Sequence, residues 1–322
     1  MNLLVTGGAG YIGSHVVRLL LNRGDQVVIV DDFSTGLRSR VPDVPVIEVD
    51  LSDTAAVPVL AKLMNEFGIT GVIHFAAKKR VDESVEKPLM YFQQNINSLA
   101  NVLKAMQLAK VENIVFSSSA AVYGDVDGIV TEDAPLLPIN PYGQTKLIGE
   151  WLLNDTAESS NIRGVSLRYF NVAGCGWEDL ADTAVLNLVP MVFEKLDNNQ
   201  QPLIFGSDYP TNDGTCERDF IHVMDLAEAH LAAIDGASTL PHRHTALNVG
   251  TGRSTSVKSM IDLIIQESGQ ETTPLNVARR SGDPASVVAD ASLIKDLLDW
   301  KSSFSVEEIV SSAWAAHNSK TN

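Results

Sequence analysis

Along residues 1–170, short apolar runs alternate with longer stretches whose apolar residues recur at helical spacing. The runs at 3–6, 26–30, 46–49, 71–75, 113–117 and 164–168 are rich in valine and isoleucine. They show no polar alternation, the pattern of strands covered on both faces. The stretches at 13–23, 54–67, 95–109 and 142–159 read as amphipathic helices between them. Strands alternating with helices predict an α/β fold: a doubly wound parallel sheet with helices on both faces and right-handed crossovers.

Beyond residue 170 the pattern loosens. Proline, glycine and asparagine recur, most densely in Asp208-Tyr209-Pro210-Thr211-Asn212-Asp213-Gly214-Thr215, and loops of that length in a compact chain usually serve function. At roughly 150 residues per domain, a chain of 322 has room for about two. The expected division is a first domain over 1–172 and a second, smaller α/β domain over 173–322, packed at the carboxyl ends of the strands. A strand-and-helix unit near 218–235 is expected to return to the first domain. No repeat of solenoid period interrupts the chain.

Composition narrows the partners. Acidic side chains number 40 against 24 basic ones, leaving a formal net charge of −16 and a pI near 4.7. That field repels nucleic-acid backbones and anionic membrane surfaces, so neither is expected as a partner. A small anionic ligand would need local arginines to hold it. No apolar run approaches the ~18 residues of a membrane span. Leu3-Leu4-Val5 runs straight into glycines, without the basic flank or cleavage site of a signal peptide. Cys175 and Cys216 make no disulfide framework, which favours a reducing cytoplasm. The seven histidines show no metal-ligand spacing, so no metal is expected, and His74 and His222 read as packed residues.

Thr6-Gly7-Gly8-Ala9-Gly10-Tyr11-Ile12-Gly13 follows the first strand and opens the first helix. It fits G-x-G-x-x-G through Gly8, Gly10 and Gly13, and the wider G-x-x-G-x-x-G through Gly7, Gly10 and Gly13. Glycine is needed there for the tight turn, for close approach of a pyrophosphate and for helix-on-strand packing. The phosphates then sit on the free amides of the helix N-terminus. This is the Rossmann dinucleotide fingerprint in its correct strand–turn–helix setting. Asp31 ends the second strand 18 residues after Gly13, where a carboxylate accepts hydrogen bonds from ribose hydroxyls. Asp31 and Asp32 would repel the 2′-phosphate of NADP, so NAD is the expected cofactor. Asp50-Leu51 ends the third strand, where an adenine edge would lie.

Tyr142-Gly143-Gln144-Thr145-Lys146 sets a phenol and an ammonium at i and i+4, on one helical face, with Pro141 suited to the helix start. A lysine so close is expected to lower the tyrosine pKa from ~10 and make it a base near neutrality. Ser117-Ser118-Ser119 closes a strand at its carboxyl end, facing the ligand crevice, where Ser119 can hydrogen-bond a reacting hydroxyl.

The glycine fingerprint, the serine and the Tyr–Lys pair resemble the extended short-chain dehydrogenase/reductase superfamily. Further motifs resemble its UDP-glucose 4-epimerase family: His74-Phe75-Ala76-Ala77 with Lys79, Arg168-Tyr169-Phe170-Asn171, Asn187-Leu188-Val189-Pro190, the block from Ile204 to Thr215, and Arg218-Asp219-Phe220-Ile221-His222. The resemblance implies NAD-dependent interconversion of UDP-galactose and UDP-glucose through a 4-keto intermediate. It implies Tyr142, Lys146 and Ser119 as catalytic residues. For NAD it implies Gly7, Gly10, Tyr11, Ile12, Gly13, Asp31, Asp32, Asp50, Leu51, Phe75, Ala76, Ala77, Lys79, Asn95, Ser117, Tyr142, Lys146 and Tyr169. For the UDP-sugar it implies Ser119, Tyr142, Asn171, Asn187, Leu188, Leu203, Phe205, Arg218, Arg280, Asp283 and Val287, with the two arginines clamping the diphosphate, Asp283 on the uridine ribose and Phe205 against uracil. It further implies a homodimer through the helices near 95–109 and 142–159.

Three positions depart from the family pattern: Val172 for a frequent proline, Gln94 for asparagine, and Val287 where relatives often carry Tyr or Cys. The rival readings are a 4,6-dehydratase, an epimerase for a related sugar, a non-catalytic NAD sensor, and a net oxidoreductase that releases NADH. A dehydratase needs an Asp-Glu pair beside the serine, but Ala120-Ala121 follow Ser119.

Overall fold

The computed structural model describes residues 1–280 and 283–319. Seven parallel strands form the main sheet, in the order His244–Val249, Arg163–Tyr169, Asn113–Ser117, Gly71–His74, Asn2–Thr6, Gln26–Asp31 and Val46–Glu48. The six strands expected from the apolar runs are all present. The seventh, His244–Val249, comes from the second half of the chain and pairs from His244↔Gly164 to Val249↔Tyr169. Its apolar run is broken by Asn248, which is fully buried. The Asn248 amide donates to the carbonyls of Val130 and Asp290 and accepts from the Tyr123 hydroxyl. The polar residue is therefore satisfied inside the core.

Alternate residues of each strand serve opposite faces. Leu3 and Val5 join Ile29, Ile73, Val115 and Leu167 beneath the helices Tyr11–Arg23 and Val223–Gly236. Leu4 joins Val28, Val72, Ile114 and Phe116 beneath Ala56–Glu66 and Pro88–Ala109. This last helix starts seven residues before the expected position, because Pro88 occupies its first turn, where a missing N–H costs nothing. Pro141 does the same for Pro141–Ser159, and the Asn140 side chain accepts the Gly143 N–H at 2.9 Å to cap it.

The remaining elements surround a second core of Val189, Phe193, Ile204, Phe220, Met260 and Ile309. A small sheet there runs Thr255–Ser256, Glu217–Arg218, Ser286–Ala289, Gly128–Val130, so one of its strands comes from the first half of the chain. No helix among the described residues is long and apolar enough to cross a membrane.

Buried Asp225 pins the segment before the last helix. Its carboxylate accepts from the Ser303 N–H at 2.9 Å, the Ser303 hydroxyl at 2.8 Å and the Phe304 N–H at 3.1 Å. Asp225→Ala orphans these donors and should cost about 1.5–3 kcal/mol in urea unfolding, with Asp225→Asn losing less. Unchanged stability in the alanine variant would remove the carboxylate as the clasp.

Candidate active site and nucleotide crevice

Strand order reverses at Asn2–Thr6, whose neighbours are Gln26–Asp31 on one side and Gly71–His74 on the other. Such a switch point opens a crevice beyond the carboxyl ends of the strands. Every cofactor residue expected from the sequence lines that crevice: Gly7, Gly10, Tyr11, Ile12 and Gly13, Asp31 and Asp32, Asp50 and Leu51, Phe75, Ala76 and Ala77, Lys79, Asn95, Ser117, Tyr142, Lys146 and Tyr169.

The glycine loop is set by contacts that admit no side chain. Gly7 has φ +69°, and a Cβ there would lie 2.8 Å from the Ala76 nitrogen; one on Gly13 would lie 2.3 Å from the Gly7 carbonyl oxygen. Gly10 precedes the helix Tyr11–Arg23 with no side-chain cap and no acid in the first turn, which leaves the positive helix end open to an anion. These features fit a dinucleotide diphosphate.

At the ribose end, Asp31 accepts the backbone N–H groups of Ala9 and Phe33, each at 2.9 Å. Burial raises its pKa against these bonds. Each carboxylate oxygen keeps a lone pair for a hydroxyl donor. Asp32 accepts from the Ser34 N–H and hydroxyl, and Lys78 Nζ lies 3.8 Å away. Asp50 is held below its ordinary range, despite burial, by bonds from Ser52 and Gln94. Gln94 also donates to the Ser52 hydroxyl at 3.0 Å. The Asn95 amide accepts the Lys78 N–H, and donates to the Lys78 carbonyl and the Thr145 hydroxyl. It thereby ties the crevice wall to the helix that carries Tyr142.

The reactive groups converge from two elements. Ser119 stands just past the strand Asn113–Ser117, where its hydroxyl accepts the Ala121 N–H at 3.2 Å and lies close enough to Tyr142 to draw its pKa down. Lys146 Nζ donates to the Ser117 carbonyl at 2.7 Å and lies 5.8 Å from the centre of the Tyr142 ring. The Tyr169 and Ser117 hydroxyls share a 2.5 Å bond.

The electrostatics differ from the sequence-based expectation. Burial raises the Tyr142 pKa, only partly offset by the Ser119 hydrogen bond. Burial likewise pulls Lys146 down to about 7, opposed by the field of Glu150. The expected lowering of the tyrosine by the lysine is absent from the protein alone. The reason is desolvation, which disfavours both charged forms, while the ammonium spends its bond on a backbone carbonyl.

The expected sugar-side residues lie on the second core and small sheet. Arg218 and Val287 are paired partners on adjacent strands. The Arg218 guanidinium donates to the carbonyls of Glu217 at 2.7 Å and Pro284 at 3.0 Å, and to Asp283 at 3.4 Å. Arg280 sits 3.9 Å over the Phe205 ring. Val287 packs against the buried cluster of Val122, Tyr123, Val130 and Leu147. Asn187 precedes the helix Leu188–Asp197 and donates to Asp182 at 3.3 Å. Leu203 opens the strand Leu203–Phe205, and exposed Asn171 opens Asn171–Ala173.

The crevice also recruits residues that the sequence did not flag: Arg40, Lys78 and the Asp182–Leu186 stretch among them. Lys78 adjoins the expected Lys79, and a two-lysine reading would have found it. Arg40 carries no local signal.

A family model, the NAD dependent epimerase/dehydratase family, matches residues 3–250. The UDP-glucose 4-epimerase of Corynebacterium glutamicum is 40% identical over 321 residues, covering 98% of this chain and 95% of the relative. The solved UDP-glucose 4-epimerase of Stenotrophomonas maltophila, with bound NAD and formylated UDP-arabinopyranose, superposes with TM-score 0.93 at 39% identity, over 100% of this chain and 99% of that one. The UDP-Glc/GlcNAc 4-epimerase of Campylobacter jejuni gives TM-score 0.86 at 35% identity, over 99% of both chains.

Lys146 supplies a pH test. Its pKa of about 7 in the folded state lies below the unfolded value, so the unfolded chain binds this proton more tightly. The ammonium therefore costs stability at and below neutrality, and the cost fades as pH rises toward the unfolded pKa of about 10.4. In nucleotide-stripped protein, Lys146→Met should gain its greatest advantage near pH 6.5 and lose part of it by about pH 9.5. A stability difference that is flat with pH in urea unfolding would show an ordinary lysine.

Proposed function

The chain belongs to the NAD-dependent epimerase/dehydratase family, and we propose that Tyr142, Lys146 and Ser119 carry its reaction at the floor of the crevice. The activity is the NAD-dependent interconversion of UDP-galactose and UDP-glucose by transient oxidation at sugar C4. The observation that supports the assignment most directly is the meeting of Ser119, Tyr142 and Lys146 beside the glycine loop.

Bound NAD supplies the hydride acceptor, later the donor, and a positive charge on its oxidised ring. Tyr142 takes the proton of the C4 hydroxyl as base and returns it to the epimer. Ser119, beside Tyr142, steadies that proton. Lys146 supplies positive charge to the phenolate and bonds the nicotinamide ribose. The buried setting keeps water from competing for the phenol. Asp31 bonds the adenosine ribose and, with Asp32, disfavours NADP. Arg218, three of whose five N–H donors are taken, and Arg280, stacked on the Phe205 ring, hold the UDP diphosphate. Asp283 takes ribose hydroxyls, Phe205 the uracil, and Asn171, Asn187, Leu188 and Leu203 complete the pocket. With UDP anchored, the keto sugar can turn and present its other face.

The reading divides the chain into an NAD unit, 1–172 joined by 218–235, and a UDP-sugar unit over the rest of 173–322, with the strand His244–Val249 completing the sheet of the first and Gly128–Val130 that of the second. It assigns the enzyme to the cytoplasm and to a homodimer. Leu89, Leu108 and Trp151, 77%, 61% and 57% exposed on the paired helices Pro88–Ala109 and Pro141–Ser159, supply the apolar face for the second copy. A dehydratase is disfavoured, since Ala120 and Ala121 form the turn after Ser119.

Purified protein given UDP-galactose and no added NAD should form UDP-glucose. Tyr142→Phe should lose about 10²–10⁴-fold in turnover with UDP binding kept, and Ser119→Ala should lose less. Near-normal turnover in the phenylalanine variant would sink the mechanism.

Val287 sets the sugar range in this reading. Its small side chain leaves room for an N-acetyl group, so UDP-N-acetylgalactosamine should also react, and Val287→Tyr should suppress that activity while sparing UDP-galactose. Paired kinetics on both sugars check this, and an unchanged ratio in the tyrosine variant would discard Val287 as the gate.

A further inference from the structure

Arg40 is a buried cation with no charged hydrogen-bond partner. The residue is 4% exposed. Its guanidinium donates to the Ala9 carbonyl at 3.5 Å, the Ala181 carbonyl at 2.7 Å and the Thr183 hydroxyl at 3.3 Å, all neutral acceptors. Its Nε–H has no partner among the described residues. Burial lowers the Arg40 pKa, yet an arginine does not escape such a site by shedding its proton. Burying a charge is unfavourable in folded proteins unless an opposite charge offsets it. Asp182 acts on it through its field rather than by a hydrogen bond.

The place of the residue says which anion can serve. Ala9 belongs to the glycine loop, and Thr183 to the stretch that runs on to Asn187 at the head of the helix Leu188–Asp197. Arg40, Gly10, Asp182 and Thr183 all line the one crevice. The guanidinium therefore ties the loop that cradles a diphosphate to the segment facing it. The protein's net charge of −16 makes a local cation there more valuable, because the field elsewhere opposes an anionic cofactor.

We propose that Arg40 is a cofactor-retaining residue, holding the 181–183 segment against the glycine loop and supplying the positive charge that keeps the dinucleotide diphosphate in the crevice. The proposal rests on the reading of that crevice as the NAD site. Diphosphate binding in turn offsets the cost of burying the guanidinium. Asp31 and the glycine loop choose the ligand; Arg40 governs how slowly it leaves. As a positioning and electrostatic residue it acts on NAD affinity rather than on the proton transfer at Tyr142.

The test uses the full chain in three forms: unmodified, Arg40→Gln and Arg40→Lys. NAD is extracted and counted after purification, and NAD affinity of stripped protein is measured by titration calorimetry at low and high salt, with UDP titrated separately. Arg40→Gln, with its fold checked by circular dichroism, should bind NAD about tenfold or more weakly, lose much of its copurifying NAD, and show a smaller salt dependence. Arg40→Lys, which keeps the charge, should stay within a few-fold of the unmodified protein, and UDP affinity should hold in both. Equal NAD affinity in Arg40→Gln and unmodified protein overturns the proposal, as does an equal loss in the glutamine and lysine variants. Should Arg40→Gln not fold, Arg40→Lys decides alone: retained affinity and salt dependence support the charge, and a tenfold loss refutes it. Failure of the unmodified protein to bind NAD would instead strike the reading of the crevice.

Discussion

The buried ion pair between Arg168 and Glu150 fixes the geometry on which the proposed active site depends. Arg168 grips both carboxylate oxygens, at 2.9 and 2.6 Å, and both side chains are about 95% buried. The carboxylate also accepts the Ser118 hydroxyl at 2.5 Å. One residue further on stands Ser119, and one turn back along the same helix stands Lys146. The strand end and the helix are thus joined twice, by Ser118 to Glu150 and by Lys146 to the Ser117 carbonyl. Arg168 continues the chain of contacts to the Tyr123 hydroxyl and so to Asn248 in the edge strand. Removing one partner of such a pair strands a charge in the core, so the arrangement is held all or none.

Electrostatically, the same burial works against the reaction's charged forms. Tyr142 is pushed up and Lys146 down, so the bare protein favours a neutral phenol, with the ammonium near half-titrated at neutrality. Glu150 pulls the other way on Lys146. The cation of the site is kept by a carboxylate that itself is neutralised by Arg168.

Much of this was legible in the sequence. The six core strands announced themselves because strands buried on both faces leave unbroken apolar runs. The lining of the crevice was readable because its glycine loop answers to backbone geometry, and Gly7 and Gly13 indeed have no room for a Cβ. The edge strand His244–Val249 was not, because Asn248 breaks its run and is satisfied only by tertiary partners. The tyrosine's pKa was misjudged because spacing reports proximity and not desolvation. Arg40 escaped notice because its partners lie 31 and 141 residues away, at Ala9 and Ala181.

The interleaving of the two units bears on how such a chain can change over generations. The strand Gly128–Val130 from the front half completes the rear sheet, while Val223–Gly236 and His244–Val249 from the rear half complete the front one. A gene broken once anywhere between them yields two fragments that each lack a core element. Exchange of sugar specificity between relatives by a single recombination event would therefore tear both cores, whereas point substitution at rim positions disturbs neither. The topology channels diversification of the enzyme toward single-residue change rather than the shuffling of halves.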